Sequence, residues 1–313
     1  MSTDNRAAKP EATALESLRL AAEVAGVVVP EFVAPDDHQL ILNGMRFHYL
    51  DWGTRGAPIL WLHGGALNAH TYDLVCLAMR DKYRSVALDQ RGHGDSEWSP
   101  VIDYRYESHA ADLAALIEHL GWECFVLVGM SMGGLNSIAY AGRNADRLAG
   151  LVLIDVGPDV RGLGTARIRD FTEVQVLESI EEYVDRSMEF NPRRNPVLLR
   201  RSLLHNLRQR PDGKWTWKWD PRPRDKTYLQ INADELHRRS QMLWTDVDQI
   251  ECPVLVVRGA ESDVFLDEDA ETLANRLKHG RWSKIAGAGH TVQGDNPVGL
   301  IDSIRRFLDD IGY

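Results

Sequence analysis

One serine in this 313-residue chain lies where a nucleophile would be exposed. Ser131 stands in the segment GMSMGG (129–134), between an apolar run that predicts a buried strand and a stretch that predicts a helix. A serine at such a sharp strand-to-helix turn has a strained backbone that presents its hydroxyl, and small residues two positions away let the helix approach the strand. The helix N-terminus beneath the serine favours negative charge. This placement predicts a nucleophilic Ser131.

A serine hydroxyl needs a base, and the base needs a third group that orients it. His290 follows Gly-Ala-Gly near the C-terminus, in a loop suited to presenting its ring. The predicted third member is Asp263, just past the predicted strand Pro253–Val257, and its rival is Asp155, at the end of the predicted strand Leu151–Ile154. The order serine, aspartate, histidine is typical of enzymes with this kind of serine turn.

The oxyanion formed by such a nucleophile needs two N–H donors, each contributing roughly 3 kcal/mol of transition-state stabilisation. One is the backbone N–H of Met132, the residue after the nucleophile. The other is expected from the loop HGGA that follows the predicted strand Ile59–Leu62, with Gly65 as the predicted donor and Ala66 as the next candidate. His63 is predicted to brace this loop rather than to transfer protons.

From about residue 38 the chain alternates between strand and helix patterns. A hairpin is predicted around Asn43-Gly44, between Leu40–Leu42 and Met45–Trp52. Nearly continuous apolar runs then predict parallel strands that are buried on both faces, and these runs are Ile59–Leu62, Ser85–Leu88, Cys124–Val128, Leu151–Ile154 and Pro253–Val257. Helical spacing over Glu107–Leu120 predicts a helix between two of them. The pattern indicates an α/β fold with a doubly wound, mostly parallel sheet.

The pattern divides the chain into three parts. Residues 1–36 predict an N-terminal helical extension, an amphipathic helix ended by Gly26, that either packs on the main domain or mediates association. Residues 37–157 and 248–313 form the predicted α/β core. The strand–helix alternation lapses over 158–247, which holds several prolines and predicts an inserted, mainly helical lid.

Two groups of lid residues are candidate substrate contacts. Trp215, Trp217 and Trp219 share a face if the segment is extended, and they either pack the lid onto the core or form an aromatic wall for an apolar group. Met130, beside the nucleophile, joins Trp215 and Trp217 as a predicted substrate contact. Four arginines predict a solvated helix face, with a bound substrate carboxylate as the alternative; they are Arg193, Arg194, Arg200 and Arg201.

Composition argues against several partners and sites. Acidic residues outnumber basic ones 46 to 36, whereas nucleic acids and anionic membranes need clustered positive charge. Cys76, Cys124 and Cys252 are too far apart for a zinc site and do not suggest a disulfide framework. No apolar run reaches the ~20 residues of a membrane span, and no signal peptide is visible. These features predict a cytoplasmic protein without a metal.

The motifs together resemble the α/β-hydrolase fold family, in its lid-bearing group of esterases, lactonases and carbon–carbon bond hydrolases. The resemblance covers about residues 38–157 and 248–313 and depends on HGG at 63–65, DQRGHGDS at 89–96, the Ser131 turn, Asp263 and His290. It implies a structural role for the loop 89–96, including His93. Haloalkane dehalogenases and epoxide hydrolases of this fold carry an aspartate nucleophile, so Ser131 argues against both activities.

We therefore expect a cofactor-independent serine hydrolase that cleaves a small-molecule carboxylic ester or lactone through an acyl-enzyme intermediate. One alternative is carbon–carbon bond hydrolysis of vinylogous diketones, although those enzymes resemble GNSMGG where this chain has Met130 before the serine. The other is a non-catalytic small-molecule receptor on the same fold. Acyl transfer and perhydrolysis use the same triad, and the sequence determines neither the natural substrate nor the oligomeric state.

Overall fold

The structure is a computed structural model that describes residues 14–29, 31–53, 55–159, 162–173, 176–224 and 233–313. Its strands are β1 (Asp36–Leu42), β2 (Met45–Asp51), β3 (Ala57–Leu62), β4 (Tyr83–Asp89), β5 (Phe125–Met130), β6 (Leu148–Ile154), β7 (Val176–Leu177), β8 (Leu207–Gln209), β9 (Trp215–Trp217), β10 (Val254–Gly259) and β11 (Gly280–Ile285). Its α-helices are α1 (Ala14–Ala25), α2 (Asp73–Met79), α3 (Tyr106–Leu120), α4 (Met132–Ala141), α5 (Gly162–Glu173), α6 (Ile180–Phe190), α7 (Pro196–Asn206), α8 (Ala233–Val247), α9 (Asp267–Arg276), α10 (Val292–Asp295) and α11 (Pro297–Asp310).

The large sheet has the strand order β1-β2-β4-β3-β5-β6-β10-β11. β1 and β2 form an antiparallel hairpin and β2 is antiparallel to β4, whereas the remaining neighbours are parallel. The hairpin turns at Asn43 and Gly44, whose φ angles of 49° and 78° are those that a tight two-residue turn requires. This confirms the predicted α/β fold with a mostly parallel sheet.

The central strands are buried on both faces, as their continuous apolar runs predict. Leu127 and Leu153 point into the apolar cluster that also holds side chains of α3 and α4. Val128 and Ile154 point into the opposite cluster, which holds side chains of α2 and α11. Because helices cover both faces, the carboxyl ends of the strands form the edge at which loop residues are free to build a site.

The segment 158–247, which we call the insertion, connects β6 to β10. It contains α5 to α8 and a small antiparallel sheet of order β7-β9-β8, so part of the predicted helical lid is β structure. The insertion is tied to the core by polar contacts: Nη2 of Arg201 lies 2.5 Å from a carboxylate oxygen of Asp73, and Nζ of Lys218 lies 2.7 Å from one of Asp95.

The N-terminal helix α1 packs against α2 of the core and α7 of the insertion. Its buried residues are Leu18, Ala21 and Ala22, and Gly26 follows it with a φ of 68° that a side chain would disfavour. The helix therefore spans the junction of core and insertion. Among the described helices, none is both long and apolar enough to cross a membrane.

Candidate active site

Ser131 lies at the turn between β5 and α4, with φ 51° and ψ −119°. A non-glycine residue at positive φ is strained, and the surrounding packing enforces this conformation. A Cβ atom at Gly129 would lie 2.4 Å from the carbonyl oxygen of Gly133, and one at Gly133 would lie 2.3 Å from that of Leu62. Only glycine fits at either position, which is why the turn needs this motif.

His290 forms hydrogen bonds with both Ser131 and Asp155, the aspartate that follows β6. Its Nε2 atom lies 3.1 Å from Oγ of Ser131, and its Nδ1 atom lies 2.8 Å from Oδ2 of Asp155. The Asp155 side chain is fully buried, and its other oxygen accepts a hydrogen bond from the backbone N–H of Gly259 at 2.8 Å. Oδ2 also accepts from the hydroxyl of Ser262. The carboxylate is thus held in place against the ring.

The predicted third member is corrected by this geometry, because Asp155 and not Asp263 contacts His290. The Asp263 side chain is half exposed and pairs with Arg167 of the insertion at 2.6 Å. β6 is the immediate neighbour of β5 in the sheet, so Asp155, the residue after β6, lies beside the turn that carries Ser131. The loop after β10 brings Ser262, the residue before Asp263, to the buried carboxylate instead.

The two predicted oxyanion donors lie close together, Gly65 in the loop after β3 and Met132 at the start of α4. Gly65 and Met132 both line the cavity that contains Ser131, and a Cβ atom at Gly65 would lie 4.0 Å from Cβ of Met132. Met132 is the first residue of α4, where a backbone N–H lacks a partner within the helix. Ala66, the next candidate donor, also lines the cavity and has a φ of 62°, a strained conformation for a residue other than glycine.

The loop that carries Gly65 is braced from behind by His63. Nε2 of His63 accepts a hydrogen bond from the N–H of Gln90 at 3.0 Å, and Nδ1 donates to the carbonyl oxygen of Gly64 at 2.8 Å. Burial lowers the pKa of His63, which keeps the ring neutral in this arrangement. Nδ2 of Asn136 donates to Gln90 in turn. These contacts agree with a bracing role.

The cavity above Ser131 has a volume of about 620 Å³, a size typical of small-molecule sites. Its apolar wall comes largely from the insertion and includes Ile168, Phe171, Phe190, Leu199, Leu203 and Trp217. Of the predicted substrate contacts, Met130 and Trp217 line the cavity. Trp215 instead packs within the apolar cluster of the insertion. The two phenylalanines carry no sequence signal that singles them out.

Two groups of described residues bring potential metal ligands close together. One is His70, Asp73 and His205, and the other is His48, Asp89 and Asp95. In each group the buried carboxylate already has partners: Asp73 binds His70 and Arg201, and Asp89 binds His48 at 2.7 Å. Hydrogen bonds and ion pairs within the protein therefore account for the closeness of the side chains in each group.

Comparisons with known proteins identify the family of the chain. The model of the alpha/beta hydrolase fold family matches residues 57–297. The chain belongs to the α/β-hydrolase fold family. Esterase Rv0045c of Mycobacterium tuberculosis is 32% identical over 274 residues, covering 83% of this chain and 85% of the relative. A crystal structure of that esterase superposes with a TM-score of 0.75 at 30% identity, covering 96% of this chain and 100% of the other.

A second relative is the 3-hydroxybutyrate-oligomer hydrolase of Cupriavidus necator. It is 31% identical over 259 residues, which are 78% of this chain and 87% of the relative. A crystal structure of E-2-(acetamidomethylene)succinate hydrolase matches with a TM-score of 0.77 at 22% identity, covering 88% of this chain and 99% of the other. This last likeness concerns the fold alone.

Proposed function

We propose that this α/β-hydrolase is a serine esterase that cleaves carboxylic esters or lactones through an acyl-enzyme intermediate. The observation that carries the proposal is the continuous hydrogen-bonded series Ser131–His290–Asp155 at the floor of a largely apolar cavity. A hydroxyl next to an oriented imidazole is an activated nucleophile, and an apolar cavity suits the acyl or alcohol part of an ester.

In this mechanism the hydroxyl of Ser131 attacks the carbonyl carbon while Nε2 of His290 takes its proton. Asp155 fixes the tautomer with the proton on Nδ1 and stabilises the imidazolium that forms. The backbone N–H groups of Gly65 and Met132 hold the oxyanion. His290 then protonates the leaving alcohol and activates a water molecule, which releases the acid and regenerates the hydroxyl.

The relatives support the ester over other substrates. One is named an esterase and the other a 3-hydroxybutyrate-oligomer hydrolase, and each shares about a third of its residues with most of this chain. Neither of these two relatives is named as a carbon–carbon bond hydrolase. A non-catalytic receptor would not need His290 and Asp155 to be aligned with Ser131. We therefore place ester hydrolysis first.

The test is hydrolysis of 4-nitrophenyl esters from acetate to decanoate by wild type and by Ser131→Ala. We expect turnover by the wild type and a loss of at least 10³-fold in the variant, since a triad nucleophile acts as a unit with its base. Ser137→Ala is the matched control, because that hydroxyl bonds within α4 to Gly133. A folded wild type without turnover on any ester would favour the diketone or receptor alternative.

A further inference from the structure

The segment of the insertion between α6 and α7 lies against the loop that carries His290. A Cβ atom at Gly289 would lie 3.0 Å from Nη2 of Arg193, and one at Gly294 would lie 2.5 Å from Nη2 of Arg194. Both arginines line the cavity above Ser131. Two guanidinium groups therefore stand next to the catalytic loop and within the substrate cavity.

These two cations have one carboxylate between them. Asp295 is buried and accepts a hydrogen bond from the N–H of Gly289 at 2.9 Å. Its shortest contact with Arg194 is 3.6 Å to Nε, which is longer than a hydrogen bond. In the part of the chain that the structure describes, the Arg193 side chain has no ion pair. The two arginines thus carry one positive charge more than Asp295 offsets, and the Arg193 side chain, which lies at the exposed side of the cavity, supplies that excess.

The other charged residues of the cavity do not supply the missing anion. Arg167 and Asp263 neutralise each other across the mouth at 2.6 Å. Glu261 lines the cavity but is exposed, so it stands in water at the rim. The positive charge near His290 remains available to a ligand.

Two buried polar atoms of the cavity residues lack a hydrogen-bond partner among the described residues. They are Nε of Arg194 and Oγ of Ser187, whose residue is 4% exposed. Leaving such groups unpaired costs free energy, and a buried orphan therefore indicates a ligand atom or water. Burial also lowers the pKa of Arg194, although an arginine stays protonated, so an anion beside it would offset a real desolvation cost.

We propose that Arg194, assisted by Arg193, binds a carboxylate of the substrate, so that the enzyme prefers esters that carry a second, free carboxyl group. This inference rests on the proposed esterase function and specifies its substrate class. A guanidinium holds a carboxylate through two parallel hydrogen bonds, and the apolar wall with Phe171 and Phe190 would cover the chain between carboxylate and ester.

The test uses two esters that differ in one charge, mono-4-nitrophenyl adipate and methyl 4-nitrophenyl adipate. We expect wild type to show a higher kcat/KM for the anionic ester. In Arg194→Met the ratio of the two kcat/KM values should fall about tenfold to a hundredfold, the range expected for a lost hydrogen bond to a charged group. Arg200→Met is the control and should keep the wild-type ratio, because Arg200 is half exposed and pairs with Glu181.

A ratio in Arg194→Met equal to that of wild type would overturn the inference, whatever the absolute rates. Inhibition of wild type gives a second readout that needs no variant: monomethyl adipate should inhibit at least tenfold more strongly than dimethyl adipate, and equal inhibition would contradict the carboxylate site. If wild type cleaves the neutral ester without preferring the anionic one, only this inference fails. If it cleaves 4-nitrophenyl alkyl esters but neither adipate ester, again only this inference fails, whereas a wild type that cleaves no ester at all contradicts the proposed function as well.

Discussion

Nδ1 of His290 donates a hydrogen bond to Oδ2 of Asp155 over 2.8 Å, although 135 residues separate the two in sequence. The contact joins the end of β6 to the loop after β11, across the end of β10. That approach is close: a Cβ atom at Gly259 in β10 would lie 2.2 Å from the carbonyl oxygen of Gly289. A side chain at position 259 would therefore push away the loop that brings His290 to Asp155, so this contact depends on a glycine at the end of β10.

Replacing each aspartate in turn shows whether Asp155 or Asp263 supports His290. Asp155→Asn should lower kcat about 10⁴-fold, since an amide no longer fixes the productive tautomer or stabilises the imidazolium. Asp263→Asn should change kcat less than about threefold, because that carboxylate pairs with Arg167 at the rim. Steady-state hydrolysis of 4-nitrophenyl butyrate measures both. A large loss in Asp263→Asn with an active Asp155→Asn would return the role to Asp263.

Ser262 is expected to position the acid. Ser262→Ala removes a hydroxyl that donates to Oδ2 of Asp155, so we expect kcat to fall about tenfold with little change in KM. Ser283→Ala is the control, because it removes a hydroxyl of β11 that contacts Ser303 of α11, and neither residue lines the cavity. Equal kinetics of Ser262→Ala and wild type would show that the backbone N–H of Gly259 holds the carboxylate without help.

Gly133, two residues after Ser131, is expected to be essential for the stability of the fold. Gly133→Ala places a methyl group 2.3 Å from the carbonyl oxygen of Leu62, a clash with backbone of β3 that no side-chain rotation relieves. We expect it to destabilise the fold by about 3 kcal/mol or more. Gly65→Ala, whose new atom would lie 4.0 Å from Met132, should unfold near the wild-type urea midpoint. Equal midpoints for the two variants would contradict the packing described for the turn.

Stability should fall in acid through His205. Burial, then the neighbouring His70, lowers the pKa of His205 to about 3, whereas the ring titrates near 6.5 when unfolded. Below pH 6.5 the unfolded chain therefore binds a proton that the folded chain does not. The free energy of unfolding should decrease by up to about 1.4 kcal/mol per pH unit from this residue alone between about pH 6.5 and pH 3.

Urea unfolding at pH 7, 6 and 5 measures this dependence. His205→Gln should flatten the slope by about that amount, and His119→Gln, an exposed residue of α3, should not. Part of the slope should persist in His205→Gln, because burial also lowers the pKa of His63 and of His109. An unchanged slope in His205→Gln would show that its ring is protonated in the folded protein at these pH values.

The features that depend on residues close together in the sequence could be predicted from local sequence patterns. Ser131 was predictable because its turn is defined by neighbours within three residues, and the buried central strands were predictable from their apolar runs. β11 was missed, since it is an edge strand with a single buried residue, Ile285. The choice between Asp155 and Asp263 was also beyond local pattern, because both follow strands and only the packing of loops decides which side chain meets His290.

Because Asp155 contacts His290, the loop after β10 does not have to supply the carboxylate that was predicted from it. Ser262 alone in this loop touches the buried carboxylate, while Glu261 and Asp263 stand on either side of it and line the cavity mouth. The Asp263 carboxylate contacts Arg167 of the insertion, and the Glu261 side chain is exposed. We therefore expect substitutions at 261 and 263 to change which molecules reach Ser131 while leaving its contacts with His290 and Asp155 intact, which makes this rim the natural place to alter selectivity.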